Sequence, residues 1–151
     1  MCRAHATVRG VLNGLVAGTD RIAIVDLEAG LEHLSRGTAR HVDTMLVVTE
    51  PYFKSLETAR RSFALARDLG IEAVHLVANK VRGAGEETAI RDFAARHELP
   101  VLAVVPWDEA VTEADRRGVP LVESEPGAPS VRAIRGIAAE LARRGARPRP
   151  S

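Results

Sequence analysis

Four short polar segments each follow an apolar run, and they contain most of the residues that could do chemistry. They are 26–30, 49–51, 79–80 and 106–108. Asp26 could hold Mg²⁺ with phosphate and water oxygens, or it could be an ordinary turn or cap residue. Asn79 offers the donor and acceptor that suit a purine edge, and Lys80 can lay its aliphatic stem over a flat ring. Pro106 and Asp108 can line the same pocket, or simply form a rigid turn and a helix N-cap.

The segment 30–41 is polar and bracketed by glycine, and it holds His33 and His41. A switch loop that senses a phosphate has this composition, and so has a solvated loop. Neither histidine has a Cys or His partner at close spacing, so we expect exposed or hydrogen-bonded histidines rather than metal ligands. Cys2 is the single cysteine, and one cysteine in one chain cannot complete a zinc site of the usual kind. It is therefore either half of a shared metal site or an ordinary buried thiol.

The elements that must position these residues follow from the hydrophobic pattern. Short apolar runs predict buried strands, and segments with apolar residues at helical spacing alternate with them. The strands are predicted at 22–25, 45–48, 74–78 and 101–105, and the helices at 4–16, 55–69, 86–98, 108–118 and 130–141. Ser55 and Asp108 can cap helices, and Gly70 and Gly118 can end them.

Alternating strands and helices predict an α/β fold: a parallel sheet with helices on both faces. In such sheets ligands bind outside the carboxyl ends of the strands, where the four polar segments lie. We expect one domain over 1–145 and a disordered tail at 146–151.

The composition narrows the classes of function. The chain has 151 residues, 46% of them hydrophobic and 3% aromatic, so the core must be built from Val, Ile, Leu and Ala. The net charge of +1 argues against a nucleic-acid partner. No apolar run approaches the roughly 20 residues that span a bilayer, and no signal-peptide pattern is seen, so we expect no membrane partner and a cytoplasmic location.

The segment 26–38, with the sequence DLEAGLEHLSRGT, resembles the stretch after the Walker B strand of CooC-type ATPases. These are nickel-insertion accessory proteins of carbon monoxide dehydrogenase, in the MinD/ParA/nitrogenase-iron-protein (SIMIBI) group of P-loop NTPases. The resemblance runs from Cys2 to about Leu141. It includes 47–51 with 55–59, the strand 77–81, and 105–108 with 113–118.

The resemblance implies roles for individual residues. Asp26 would hold Mg²⁺ as the catalytic Walker B residue. Asn79, with Lys80, would read the adenine of ATP or ADP, and Pro106 and Asp108 would complete the base and ribose pocket. Cys2 matches the second cysteine of a Cys-x-Cys pair, which in the family binds a metal such as Ni²⁺ or Zn²⁺ across a homodimer. The implied function is ATP hydrolysis in metallocentre assembly, with a metalloenzyme as client.

One departure from the family matters most. The sequence contains no Gly-x-x-x-x-Gly-Lys-Ser/Thr motif, the loop that cradles phosphates. We therefore expect a partial P-loop domain that lacks its N-terminal strand, with impaired ATP binding and hydrolysis. In the group that strand lies beside the Walker B strand. The strand at 21–26 would then pair with 44–49, or an apolar gap or exposed edge would remain, and such an edge invites aggregation.

Two alternatives stay open. The chain could belong to a ParA/MinD-type positioning ATPase, of which Arg143, Arg144 and Arg147 at the C-terminal end are a faint indication. It could also be a non-catalytic α/β module that binds a partner, including a chain that dimerises with an intact paralogous ATPase.

Overall fold

Strands and helices alternate along most of the part of the chain that the structure, a computed structural model, describes: residues 23–26 and 42–145. In chain order the elements are β1 Met45–Thr49, α1 Phe53–Asp68, β2 Val74–Val81, α2 Ala84–Arg96, β3 Val101–Pro106, α3 Glu109–Arg117, α4 Leu121–Ser124 and α5 Pro129–Gly145. The predicted α/β organisation is confirmed, and the short helix α4 is an element that the hydrophobic pattern did not predict.

The three strands form a parallel sheet in the order β1-β2-β3, so β2 is central. Met45 pairs with Val74 and Thr49 with Ala78, which places the ends of β1 and β2 at the same edge. The predictions of strands at 45–48, 74–78 and 101–105 are confirmed. β2 continues three residues beyond its apolar run, to Val81.

The main core lies between the sheet and helices α1 and α2. Apolar side chains at helical spacing on α1 and α2 meet every second residue of the strands, because successive strand residues point to opposite faces. The fully or almost fully buried members include Phe63, Ala66, Leu76, Ala78 and Ile90. Apart from Phe63 and Phe93, the buried members of this core are Ala, Val, Leu and Ile, as expected from the small number of aromatic residues in the sequence.

The opposite face of the sheet is covered by α5, which packs mainly on β3. Val131 of α5 is buried, as are Val77 and Val105 of the sheet. Near the other end of α5, Arg144 Nη1 lies 2.6 Å from His75 Nε2 on β2. Helices therefore cover both faces, as predicted.

The helix ends follow local chemistry at three of the four predicted positions. Asp108 caps α3 by accepting a hydrogen bond from the Ala110 N–H, and Gly118 ends that helix in the left-handed conformation. Gly70 likewise follows the end of α1 with a φ of 78°. The prediction that Ser55 caps α1 is wrong: the helix begins at Phe53, and the Ser55 hydroxyl accepts the Glu50 N–H instead.

The predicted buried strand at 22–25 is not formed over 23–25, the part of it that the structure describes. Residues 23–26 have no regular secondary structure and are exposed, with Ile24 91% and Val25 42% accessible. A strand is stabilised by a hydrogen-bonded neighbour, and within the described residues β1 pairs only with β2. Within the described residues no strand pairs with the outer edge of β1, and Val48 is 61% accessible. Whether an exposed edge remains there stays a prediction.

Several predictions lie outside the described residues. They concern Cys2, the helix at 4–16, the loop with His33 and His41, and the tail at 146–151. Within the described ranges no helix is long and apolar enough to cross a membrane.

Candidate binding site at the carboxyl edge of the sheet

A bulge near the carboxyl end of β2 shapes this edge. Val81 pairs with Pro106 and Ala78 with Val104, so β2 spends one more residue than β3 between these pairs. The extra residue falls at Asn79–Lys80, and Lys80 adopts a left-handed backbone with a φ of 57°. As a result Val81 returns to the core while Lys80 is exposed and Asn79 half-buried.

An ion pair joins the ends of β1 and β2. Lys80 Nζ lies 2.8 Å from Glu50 Oε1, with 49% and 36% of the two side chains accessible. The Glu50 backbone is itself held, because its N–H donates to Ser55 Oγ at 3.0 Å. Ser55 Oγ also lies 3.0 Å from the hydroxyl of Thr49, which is almost fully buried. The end of β1 is thus a fixed support for Lys80.

A stacked pair joins the ends of β2 and β3. The Arg82 guanidinium lies over the Trp107 ring, 4.0 Å from its centroid, and the Trp107 N–H donates to Val81 O at 2.9 Å. The indole N–H donates to Glu109 Oε1, also at 2.9 Å. Trp107 remains 37% accessible although it is held on three sides. The geometry leaves a flat aromatic and guanidinium surface at the rim of the edge.

Asp108 has a connecting role in this arrangement. Its Oδ1 accepts the Ala110 N–H at 3.1 Å, and its Oδ2 accepts the Ser130 N–H at 3.0 Å and the Ser130 hydroxyl at 2.8 Å. The hydrogen bonds from Ser130 hold the pKa of the Asp108 carboxyl below its usual value. The carboxylate therefore ties the loop after β3 to the first turns of α3 and α5.

The structure brings four of the predicted site residues to one edge. Asn79 and Lys80 lie at the bulge, Pro106 ends β3, and Asp108 follows it. Within the described residues the Asn79 side chain makes no hydrogen bond, so its amide is available to a ligand. A planar base with donors and acceptors on its edge fits an unengaged amide flanked by a lysine stem.

The predicted magnesium ligand, Asp26, makes no hydrogen bond with this cluster. Asp26 lies in the exposed, irregular segment 23–26, and no hydrogen bond joins it to β1, β2 or β3. Among the residues that the structure describes, no group of three or more His, Cys, Asp or Glu could hold a metal ion. Mg²⁺ needs only one or two carboxylates beside phosphate oxygens, so the role of Asp26 stays a prediction.

Two residues of the edge had not been identified from sequence. The sequence indicates Glu50 only as part of a strand end, and it does not indicate Arg82, because the apolar run of β2 stops at Ala78. Its continuation to Val81 makes Arg82 the first residue after the strand. The signal that could have found them is charge: Glu50, Lys80 and Arg82 all lie within four residues of an apolar run.

Comparison with known proteins places this geometry in a family. The model of the CobQ/CobB/MinD/ParA nucleotide binding domain matches residues 8–121. An uncharacterised ATP-binding protein of Methanocaldococcus jannaschii is 40% identical over 121 residues, which are 80% of this chain and 47% of that protein. The carbon monoxide dehydrogenase accessory protein CooC of Rhodospirillum rubrum is 36% identical over 126 residues, 83% of this chain and 47% of CooC.

A solved structure shares the fold. MinD of Pyrococcus horikoshii, in complex with Mg-ADP, superposes with a TM-score of 0.73 at 22% identity, covering 95% of this chain and 60% of that one. The chain spans about half the length of the curated relatives it matches. On the family match over most of its length, this chain belongs to the CobQ/CobB/MinD/ParA nucleotide-binding domain family.

Proposed function

We propose that this chain supplies the base-recognising part of an ATP-binding site. The observation that carries the proposal is the Asn79 amide, which has no hydrogen bond within the described residues and lies at the bulged end of the central strand. Family membership gives the ligand class, and the Mg-ADP bound to the Pyrococcus horikoshii MinD supports an adenine nucleotide with magnesium.

The residues divide the work as follows. Asn79 pairs with the edge of the adenine, the stem of Lys80 lies along the ring, and Pro106 forms the opposite wall. Asp108, whose carboxylate already accepts three hydrogen bonds, keeps the wall in place rather than binding the ribose. Asp26 is our candidate for the magnesium carboxylate. The 151 residues contain no Gly-x-x-x-x-Gly-Lys-Ser/Thr motif, so we assign no residue of this chain to the phosphates.

For the whole protein we propose an ATPase that acts in metallocentre assembly, with ATP hydrolysis as its reaction. The identity with CooC over 83% of this chain supports this role. The proposal includes a metalloenzyme as client, a homodimer or a dimer with a paralogous ATPase, and Cys2 as half of a shared Ni²⁺ or Zn²⁺ site.

A MinD-type positioning ATPase is the second candidate, because MinD proteins share the fold. Ion pairs at the C-terminal end of α5 reduce the positive charge that a surface for DNA or lipid would need. Arg143 and Arg144 both pair with Glu140, and the hydrogen bonds from Arg144 and Arg143 lower the pKa of Glu140 to about 2. Glu140 therefore offsets one of the two positive charges of Arg143 and Arg144, which reduces the basic character that suggested this alternative.

Calorimetric titration of the full chain with ADP and with GDP tests base recognition. We expect ADP to bind with a Kd on the order of 0.1–1 mM, because base contacts alone give modest affinity, and GDP to bind more weakly. Asn79→Leu, which keeps the side-chain size and removes both hydrogen-bonding groups, should abolish the preference. Asn13→Ser is the matched control, since Asn13 is the other asparagine in the chain.

Equal binding of ADP and GDP, or an ADP preference that survives in Asn79→Leu, would contradict the assignment of Asn79. Binding of ATP in the micromolar range with magnesium-dependent turnover would show instead that the chain holds a phosphate site that we have not identified.

A further inference from the structure

We propose that Glu50 is a positioning residue of the base site: its ion pair with Lys80 holds the β2 bulge in the conformation that presents the Asn79 amide. The inference rests on the proposed function, because it gives Asn79 the base-reading role. It adds the residue that directly follows the neighbouring strand β1, outside the segments assigned to the base.

The backbone of Lys80 is the first step of the argument. A residue with a Cβ atom disfavours the left-handed region, yet Lys80 occupies it with a φ of 57°. Such a conformation persists only where the surroundings impose it. The interaction available to the Lys80 side chain within the described residues is the 2.8 Å ion pair with Glu50. The pair is therefore the side-chain contact of Lys80 that supports this conformation from outside β2, beside the backbone pairing of β2 with β3.

The support behind Glu50 is the second step. An ion pair can hold a backbone only if its other end is fixed. Glu50 follows Thr49, which is 1% accessible, and its N–H is bound by the hydroxyl of Ser55 in the first turn of α1. The chain of contacts thus leads from α1 through Glu50 to Lys80.

The position of Asn79 is the third step. Its side chain makes no hydrogen bond within the described residues, so the direction of its amide is set by the local backbone and by the rotamers that this backbone allows. Ala78, on one side, is completely buried and paired with Val104. Lys80, on the other side, is exposed and lies in the left-handed backbone region, with Glu50 as its ion-pair partner. A change in the Glu50–Lys80 pair should therefore reach Asn79 directly.

The sequence provides a direct readout of Asn79. The chain contains two asparagines, Asn13 and Asn79, and no glutamine. The side-chain amide region of a ¹H–¹⁵N correlation spectrum consequently holds two NH₂ pairs, and Asn13→Ser assigns them. Amide proton exchange and chemical shift of the Asn79 pair can then be followed in the ligand-free chain.

We would compare Glu50→Gln, Lys80→Met and the reversed pair Glu50→Lys with Lys80→Glu. Each glutamine introduced adds one NH₂ pair, which its absence from the parent spectrum identifies. The single variants should shift the Asn79 NH₂ signals, and the reversed pair should restore them. The matched control is Glu87→Gln, which breaks the ion pair between Glu87 and Arg91 on α2, 2.7 Å long and similarly exposed. Circular dichroism spectra should be unchanged, since surface pairs contribute little to folding.

The second readout is the preference for ADP over GDP. The single variants should reduce it about three- to tenfold, the size of one lost hydrogen bond, while Glu87→Gln leaves it unchanged. Asn79 signals at the parent position in both single variants would overturn the inference, as would a reversed pair that behaves like the single variants. If the parent chain shows no ADP preference, the proposed function fails, and the NH₂ signals still decide whether Glu50 positions Asn79.

Discussion

Replacing Asp108 by alanine should weaken the attachment of α5 to the sheet. The carboxylate accepts three hydrogen bonds, one from Ala110 as the N-cap of α3 and two from Ser130, which is only 3% accessible. No other residue joins the loop after β3 to the start of α5 by a side-chain hydrogen bond in the described part of the chain. The effect should therefore be large for a residue on the rim of the molecule.

The magnitude follows from counting these bonds. Loss of an N-cap costs about 1 kcal/mol, and each hydrogen bond from Ser130 contributes roughly 1 kcal/mol. We expect Asp108→Ala to lower the free energy of unfolding by about 3 kcal/mol. Ser130→Ala removes one of the three bonds and should cost about 1 kcal/mol. Asp108→Asn keeps one acceptor oxygen and should fall between the two.

Urea unfolding followed by circular dichroism and by the fluorescence of Trp107, the only tryptophan, measures these differences. The double variant Asp108→Ala with Ser130→Ala should lose about 1 kcal/mol less unfolding free energy than the sum of the two single variants, because the Ser130 hydroxyl bond is counted in both. The lowered pKa of Asp108 sets the pH dependence: the stabilisation is complete above the ordinary value of 3.8 and is lost as the pH falls through the lower folded pKa. A loss below about 0.5 kcal/mol in Asp108→Ala, or strict additivity with Ser130→Ala, would refute the reasoning.

Three further predictions concern the sheet and the helix ends. Val47→Ala should lower the free energy of unfolding in urea by about 2 kcal/mol, because Val47 is only 7% accessible, whereas Val48→Ala, with Val48 61% accessible, should change it by less than about 0.5 kcal/mol. Equal effects would contradict the assignment of the two faces of β1. Burial, with the charge of Arg144, lowers the pKa of His75, so its contribution to stability should be complete above the ordinary pKa of 6.5 and should be lost as the pH falls below that value. In His75→Phe the decrease of the urea midpoint with falling pH should disappear, and an unchanged decrease would contradict this prediction. Gly118→Ala should cost about 1 kcal/mol in thermal unfolding through its φ of 63°, because no heavy atom beyond its chain neighbours lies within 4 Å of the added Cβ. A neutral result would mean that the turn relaxes.

The regular elements could be predicted because their signals are local. Apolar runs locate β1, β2 and β3, and Asp108, Gly70 and Gly118 mark helix ends by their own chemistry. The run at 22–25 has the same appearance, yet 23–26 is exposed and irregular. Burial of a strand depends on its neighbours in space, and a sequence window contains no information on them.

The candidate site could be predicted in its residue types and not in its connections. Asn79, Lys80, Pro106 and Asp108 are strand-end residues, and the parallel sheet brings them together. The pairing of Lys80 with Glu50 depends on the register of β1 against β2, and the bulge depends on β3. The Ser130 contact spans 22 residues of sequence. Such contacts follow from packing between distant elements, which no spacing rule predicts.

The bulge in β2 also determines which mutations can change the site. At the bulge, β2 has one residue more than β3, and Val81 packs in the core again after it. Deletion of one residue at this point would move the side chains of Val81 and Arg82 each to the other face of the sheet, because successive strand residues alternate between the two faces. Asn79 and Lys80, in contrast, are not members of the buried core, so substitutions there remove no core side chain. Point mutation can therefore retune which ligand is recognised here without disturbing the sheet, whereas a change in loop length cannot.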